Sequence, residues 1–216
     1  MKRYLAPAVV LAFAANLAVA LAAPPGTSLD IKASPNPVVY GHTVTLSGKL
    51  TGKNKAGKTI QVQADPFPYD GNFDNVATAV TATNGQWSAK NKPLENTRYR
   101  ARQGSTTSGF VTELVRIRVS LKLSDRTPAA GHRVRFYGRA CPQHDGALVK
   151  IQRRTRTGHW RTKRRTHLRD IPGSTCSKYS KRIRIFHDGR YRAFVVSPDA
   201  DHANGRSRSR FINAHN

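Results

Sequence analysis

Apolar residues in this chain recur at every second position. Ile117, Val119, Leu121 and Leu123 alternate with Arg116, Arg118, Ser120 and Lys122. Val134 and Phe136 alternate with Arg133 and Arg135, Val149 and Ile151 with Lys150 and Gln152, and Tyr191, Ala193 and Val195 with Arg190 and Arg192. A period of two puts one apolar and one polar row on a pleated strand. Turn-forming residues separate the runs at Pro35-Asn36-Pro37, Asn84-Gly85, Pro142 to Gly146, Asp188-Gly189 and Asn204-Gly205. Beyond residue 22 no segment sustains an amphipathic helical pattern over three turns. The pattern predicts an all-β chain of short antiparallel strands.

The strands fall into two copies of one unit. Gly41-His42-Thr43-Val44-Thr45-Leu46-Ser47-Gly48 matches Gly131-His132-Arg133-Val134-Arg135-Phe136-Tyr137-Gly138 at an offset of 90. The segment Gly57 to Gln63 matches Gly146 to Gln152 at an offset of 89, and Arg98-Tyr99-Arg100-Ala101 recurs identically as Arg190-Tyr191-Arg192-Ala193 at an offset of 92. Three matches in the same order, with a nearly constant offset, indicate duplication. Strands at this density in each unit predict two tandem antiparallel β-sandwiches, residues 23–115 and 116–216, meeting in the stretch Val111 to Ser120. That stretch has no Gly/Ser-rich or Pro-rich linker, so limited freedom between the units is expected.

In these motifs the chain resembles the immunoglobulin-like repeats of secreted actinobacterial proteins. The resemblance covers nearly all of the chain beyond the leader, twice. It implies an immunoglobulin-like sandwich, with Gly41 and Gly131 at a turn needing positive φ and Tyr99 and Tyr191 packed inward. Such repeats serve as adhesive, spacer and carbohydrate-associated modules, so the resemblance specifies fold more closely than function.

Residues 1–22 read as a signal peptide, with Lys2-Arg3, an apolar run from Leu5 to Ala15, and Ala20-Leu21-Ala22 as the cleavage pattern. Cleavage after Ala20 is the second choice. The apolar run is too short and too interrupted, by Asn16, for a membrane span, and no span is expected after the leader is removed. Export makes a disulfide the natural state of the two cysteines, Cys141 and Cys176. The bridge is expected to tie two loops across the second sandwich, worth roughly 3 to 4 kcal/mol on the chain-entropy model.

Charge sets the expected partner. Lys and Arg number 37 against 12 Asp and Glu, for a net charge of +25. The division is uneven: residues 23–115 hold ten cations and six acids, a net of +4, whereas residues 116–216 hold twenty-five and six, a net of +19. The densest stretch carries Arg153, Arg154, Arg156, Arg161, Lys163, Arg164, Arg165 and Arg169 around a turn at Thr157-Gly158. Two strands joined there make a basic hairpin, with Trp160 either packed inward or available for stacking. Arginine suits phosphate, sulfate and carboxylate because its planar fork donates in pairs. The competing reading is a solvated basic face without a site.

Other chemistry is sparse. Asp65 to Asp74 contains Phe67, Tyr69 and Phe73 among prolines, either a stacking platform for sugar rings or a hairpin loop tucked onto its sandwich. Asp70, Asn72 and Asp74 resemble the start of a calcium loop but lack the downstream glutamate. The eight histidines are scattered, His144-Asp145 and His187-Asp188 read as turn chemistry, and no metal, nucleotide or hydrolase motif is present. No catalytic residue, cofactor or metal is expected. The expectation is a secreted, non-enzymatic binding or structural module, in the medium or at the cell wall, contacting an anionic envelope polymer or glycan through its second domain. The alternative is an accessory or inhibitory protein whose loops bind a protein or carbohydrate.

Overall fold

A computed structural model describes residues 26–215, and the expected leader lies outside the described residues. The described chain contains strands and no helix, and thus no helix long and apolar enough to cross a membrane. The first half builds β1 (Lys32–Ser34), β2 (Val38–Val39), β3 (Val44–Lys49), β4 (Thr59–Pro66), β5 (Asp74–Val80), β6 (Gln86–Asn91), β7 (Thr97–Gln103), β8 (Thr106–Thr107) and β9 (Val111–Glu113). The second builds β10 (Val115–Val119), β11 (Lys122–Leu123), β12 (Arg133–Cys141), β13 (Leu148–Arg154), β14 (Trp160–His167), β15 (Ser177–Arg184), β16 (Gly189–Val195), β17 (Ala203–Arg206) and β18 (Arg210–Ile212).

In the first half, a sheet ordered β1-β3-β6 faces one ordered β5-β4-β7-β8, with β9 also on β7. The alternating apolar rows close a core of Val44, Leu46, Ile60, Val62, Trp87, Tyr99 and Val115, among others. In the second half, β12 pairs β15 along eight residues, and β14-β13-β16 continue to β17 and β18. There Val134, Phe136, Val149, Ile151, Tyr179, Tyr191 and Val195 are buried together. The architecture is all-β, built of sandwiches.

The duplicated motifs occupy equivalent structural positions. Gly41 and Gly131 share φ of +83°, the left-handed turn that favours glycine. A Cβ on Gly48 would stand 2.1 Å from the Asp30 carbonyl oxygen, and one on Gly138 2.1 Å from the Ser120 carbonyl oxygen. Both glycines thus permit the same close approach of a neighbouring strand. Tyr99 and Tyr191 point inward, each on the strand that crosses the middle of its sheet.

Between the two cores the chain does not form a linker. Val115 belongs to the first core and Ile117 to the second, on the same strand β10. β2 pairs β10 in parallel, and the Tyr40 N–H donates to the Arg116 carbonyl at 2.9 Å. Asn96 ties the halves further: its side chain accepts from Val115 N–H at 2.7 Å and donates to the Ala200 carbonyl at 2.7 Å, and its backbone N–H donates to the Asp201 carbonyl at 2.7 Å.

The disulfide joins Cys141 to Cys176, but not across the sandwich. Ala140 and Ser177 are register partners, so the cysteines are the next positions along neighbouring strands, with Cα atoms 4.4 Å apart. The expectation of a bridge between loops of facing sheets is corrected. Thirty-five residues separate the cysteines in sequence, and β12 and β15 return to each other's side in one sheet.

Candidate functional site

The hairpin β13–β14 carries seven of the eight basic residues singled out in the sequence, and the pairing divides them. Directly opposed residues of an antiparallel pair project to the same face. Arg154 with Trp160, and Lys150 with Arg165, therefore share the outer face, while Arg153 with Arg161, and Ile151 with Arg164, share the other. An irregularity between Ile151 and Gln152 leaves Lys163 without an opposite residue, so Lys163, Arg164 and Arg165 are exposed in succession. Arg156 lies in the connecting turn and is exposed. Several guanidinia are engaged locally: Arg153 donates to the Asp188 carbonyl, Arg154 to that of Gly158 at 3.2 Å, and Arg164 to that of Lys163 at 2.8 Å. Trp160 faces outward beneath Arg192, whose guanidinium carbon sits 4.3 Å from the ring centroid. The hairpin's basic residues are thus split between two faces, and all of those singled out are exposed except the half-buried Arg153. Arg169 lies past β14, bridged to Lys178 on β15.

A second basic surface forms where β12 meets β15. Arg133 is opposite Arg184, Arg135 opposite Arg182, and Arg139 opposite Lys178. Val134, Phe136, Tyr179 and Ile183 fill the inner row, so all six cations project outward, and all are exposed. Rungs two residues apart repeat at about 7 Å along the strands. A groove of about 830 Å³ runs over this face, lined by Lys122, Arg135, Arg139, Arg169 and Lys178 around Tyr137. Like charges directly opposed across a strand pair repel. Sequence inspection did not find this ladder because its rungs join residues 39 to 51 positions apart. The alternation of arginine in Arg133–Arg135 and Arg182–Arg184 was visible, but not their register.

Among the described residues no carboxylate pairs with a cation of either surface. The ion pairs among the described residues all involve His144 or His202, and none involves a lysine or arginine. Burial and the neighbouring Arg206 guanidinium lower the pKa of both Arg116 and Arg192, which marks a crowded cluster of cations beside the hairpin.

The aromatic loop of the first unit is tucked. Phe67 and Tyr69 pack edge to face and are half-buried, and Arg98 stacks over Tyr69 at 4.3 Å and over Phe110 at 4.9 Å. Asp70 accepts from the Asn72 N–H at 2.9 Å, closing a turn, and that bond holds its carboxyl below the usual range.

A further cluster lies where the units meet. His144, Asp199, Asp201 and His202 bring one nitrogen or oxygen each to within 4.8 Å of one another. His144 comes from the loop after β12, where the Ser177 hydroxyl accepts from His144 N–H at 3.0 Å and donates to Asp145 at 2.6 Å. The other three come from the β16–β17 loop. His202 contacts the Leu94 carbonyl of the first unit through Nε2 at 2.8 Å, and its ring meets that of His144 edge to face at 5.0 Å. A hydrogen bond shared with Asp201, together with burial, raises the Asp199 pKa. Burial pushes Asp201 up as well, but the close approach of Asp199 and His202 outweighs it and leaves that carboxyl low. The run Asp199-Ala200-Asp201-His202 was its only local signal in the sequence, and His144 stands 55 residues before the first of them.

No family model and no curated protein matches the chain. Among solved structures, the chain is similar to a tetra-tandem repeat in the extending region of a large adhesion protein, at 12% identity and a TM-score of 0.35. The match covers 87% of this chain and 49% of that one, so the chain spans about half its length. Likeness at that level carries no argument about function. The comparisons lend no support to an actinobacterial secreted family.

Proposed function

We propose that the protein is an extracellular, non-enzymatic binding module whose second unit holds a linear anionic polymer of the cell envelope. The observation that carries this reading is the ladder of directly opposed cations, Arg133–Arg184, Arg135–Arg182 and Arg139–Lys178, with no carboxylate among the described residues paired to any of them. Each rung costs stability in isolation, and an anion lying between its two cations removes that cost. A polymer with regularly spaced phosphates or carboxylates fits a surface whose first two rungs stand about 7 Å apart and whose third stands about 14 Å further along, past Tyr137 and Ser180. The exposed hairpin cations Arg154, Arg156, Arg161, Lys163, Arg164 and Arg165 extend the positive field and steer the polymer toward the groove. The intramolecular disulfide fits an oxidising, extracellular setting.

The test is binding of the full chain to poly(glycerol phosphate), a polyuronate and a neutral glucan at two salt concentrations. The expected result is binding to both anionic polymers that weakens at least about tenfold from low to physiological salt, with none to the glucan. Salt-independent binding to the glucan would instead favour recognition by loops.

A further inference from the structure

We propose that His144, Asp199, Asp201 and His202 form a binding site for a zinc-class divalent transition ion that pins the β16–β17 loop of the second unit against the first. Two imidazoles and two carboxylates are the donor set such ions take, whereas calcium and magnesium prefer oxygen alone. The ligand atoms of a tetrahedral zinc site stand about 3.4 Å apart when the bonds are about 2.0 to 2.1 Å long. Here His144 Nε2 lies 3.7 Å from Asp201 Oδ1 and 3.9 Å from Asp199 Oδ1, and His202 Nδ1 lies 2.8 Å from Asp201 Oδ1. These separations bracket that value.

The outer contacts prepare the rings for a metal. His144 Nδ1 is 3.1 Å from the Pro142 carbonyl, and His202 Nε2 is 2.8 Å from that of Leu94. A proton held on each of those nitrogens leaves the other nitrogen's lone pair facing the carboxylates, the arrangement by which second contacts orient metal-binding histidines. Both histidines are 7% exposed. His202 Nδ1 and Asp201 Oδ1 are buried and, although 2.8 Å apart, lack the alignment of a hydrogen bond to each other or to any other group. Two buried donors converging without a hydrogen bond are what a shared cation satisfies. Asp199, with its side chain 48% exposed, opens the cluster to solvent and gives the ion an entry path.

The consequence is mechanical. His202 is seated on Leu94, and Asp201 accepts the Asn96 N–H through its carbonyl, so an ion at these four residues fastens both sides of the junction. The experiment is titration of the full, chelator-treated chain with Zn²⁺ and Co²⁺, followed by calorimetry and the visible spectrum, with Ca²⁺ and Mg²⁺ as controls. One equivalent of Zn²⁺ should bind and raise the melting temperature, Co²⁺ should show tetrahedral bands, and exchange of the Asn96 amide should slow. Asp199→Asn and His144→Asn should each weaken binding at least about tenfold. Asp199 lies outside the core, so its variant decides the matter if His144→Asn proves unstable. Absence of stoichiometric binding, or binding that survives Asp199→Asn undiminished, would overturn the proposal and leave the cluster as an ionic network.

Discussion

The two halves of the molecule share one architecture and differ in how its outward rows are used. In the first, the strand following the duplicated Gly-His motif presents Thr45 and Ser47; in the second, the equivalent positions are Arg135 and Tyr137. The inner rows are equivalent, with Leu46 answering Phe136 and Val62 answering Ile151. A sandwich is therefore specified by its inner row and leaves the outer row free for function. The second half uses that freedom to line up cations, and it alone carries a disulfide, placed at the end of the strand pair where the cations oppose one another.

Removing the disulfide should separate the halves most. Cys141→Ser with Cys176→Ser is expected to cost the second half roughly 3 to 4 kcal/mol. Hydrogen exchange should show protection lost along β12 and β15 and kept along β4 and β7. Equal loss in both would mean that the shared strand β10 makes them unfold as one.

The next effect belongs to the junction. Glu113 is fully buried, accepts from Val38 N–H at 2.8 Å through Oε1, and leaves Oε2 unpartnered; burial pushes its pKa up to about 7. A carboxyl with a raised folded-state pKa contributes stability that is full below its unfolded value and is lost as pH rises through about 7. Relative to Glu113→Gln, the wild type should thus lose on the order of 3 kcal/mol between pH 4.5 and neutrality. Chemical denaturation of both proteins across that range measures it, and parallel curves would contradict the assignment.

Glycine supplies a smaller, symmetrical test. Gly48→Ala and Gly138→Ala should each cost about 1 to 3 kcal/mol, because the added methyl meets a neighbouring carbonyl in the same way. A large cost at one position and none at the other would show that the duplication is not structurally equivalent there.

How much was legible in the sequence follows from the range of each signal. The period of two is local and could be read directly, and the glycine turns and inward tyrosines followed from the resemblance that the repeated motifs carry. The disulfide partner was forced, since there are two cysteines, but its placement within one sheet depended on β12 and β15 being neighbours. Arg153 to Arg165 stood out by density alone, and density does not reveal that Arg154 and Arg164 project to opposite faces. The rungs Arg133–Arg184 and Arg135–Arg182, and the meeting of His144 with His202, arise only from long-range register and loop packing.

The central claim is that geometry, and not charge alone, selects the ladder. The measurement is affinity of the full chain for poly(glycerol phosphate) at low salt, comparing two variants of equal net charge. One replaces Arg133, Arg135, Arg182 and Arg184 with Gln, and the other the exposed Arg154, Arg161, Arg164 and Arg165. Surface changes of this kind cost within about 0.5 kcal/mol each in stability, so both should fold. At about 1 kcal/mol for each cation near an anionic surface, the ladder variant should lose about a hundredfold or more in affinity, and the hairpin variant markedly less. Equal losses would contradict the account and reduce the basic surface to diffuse charge.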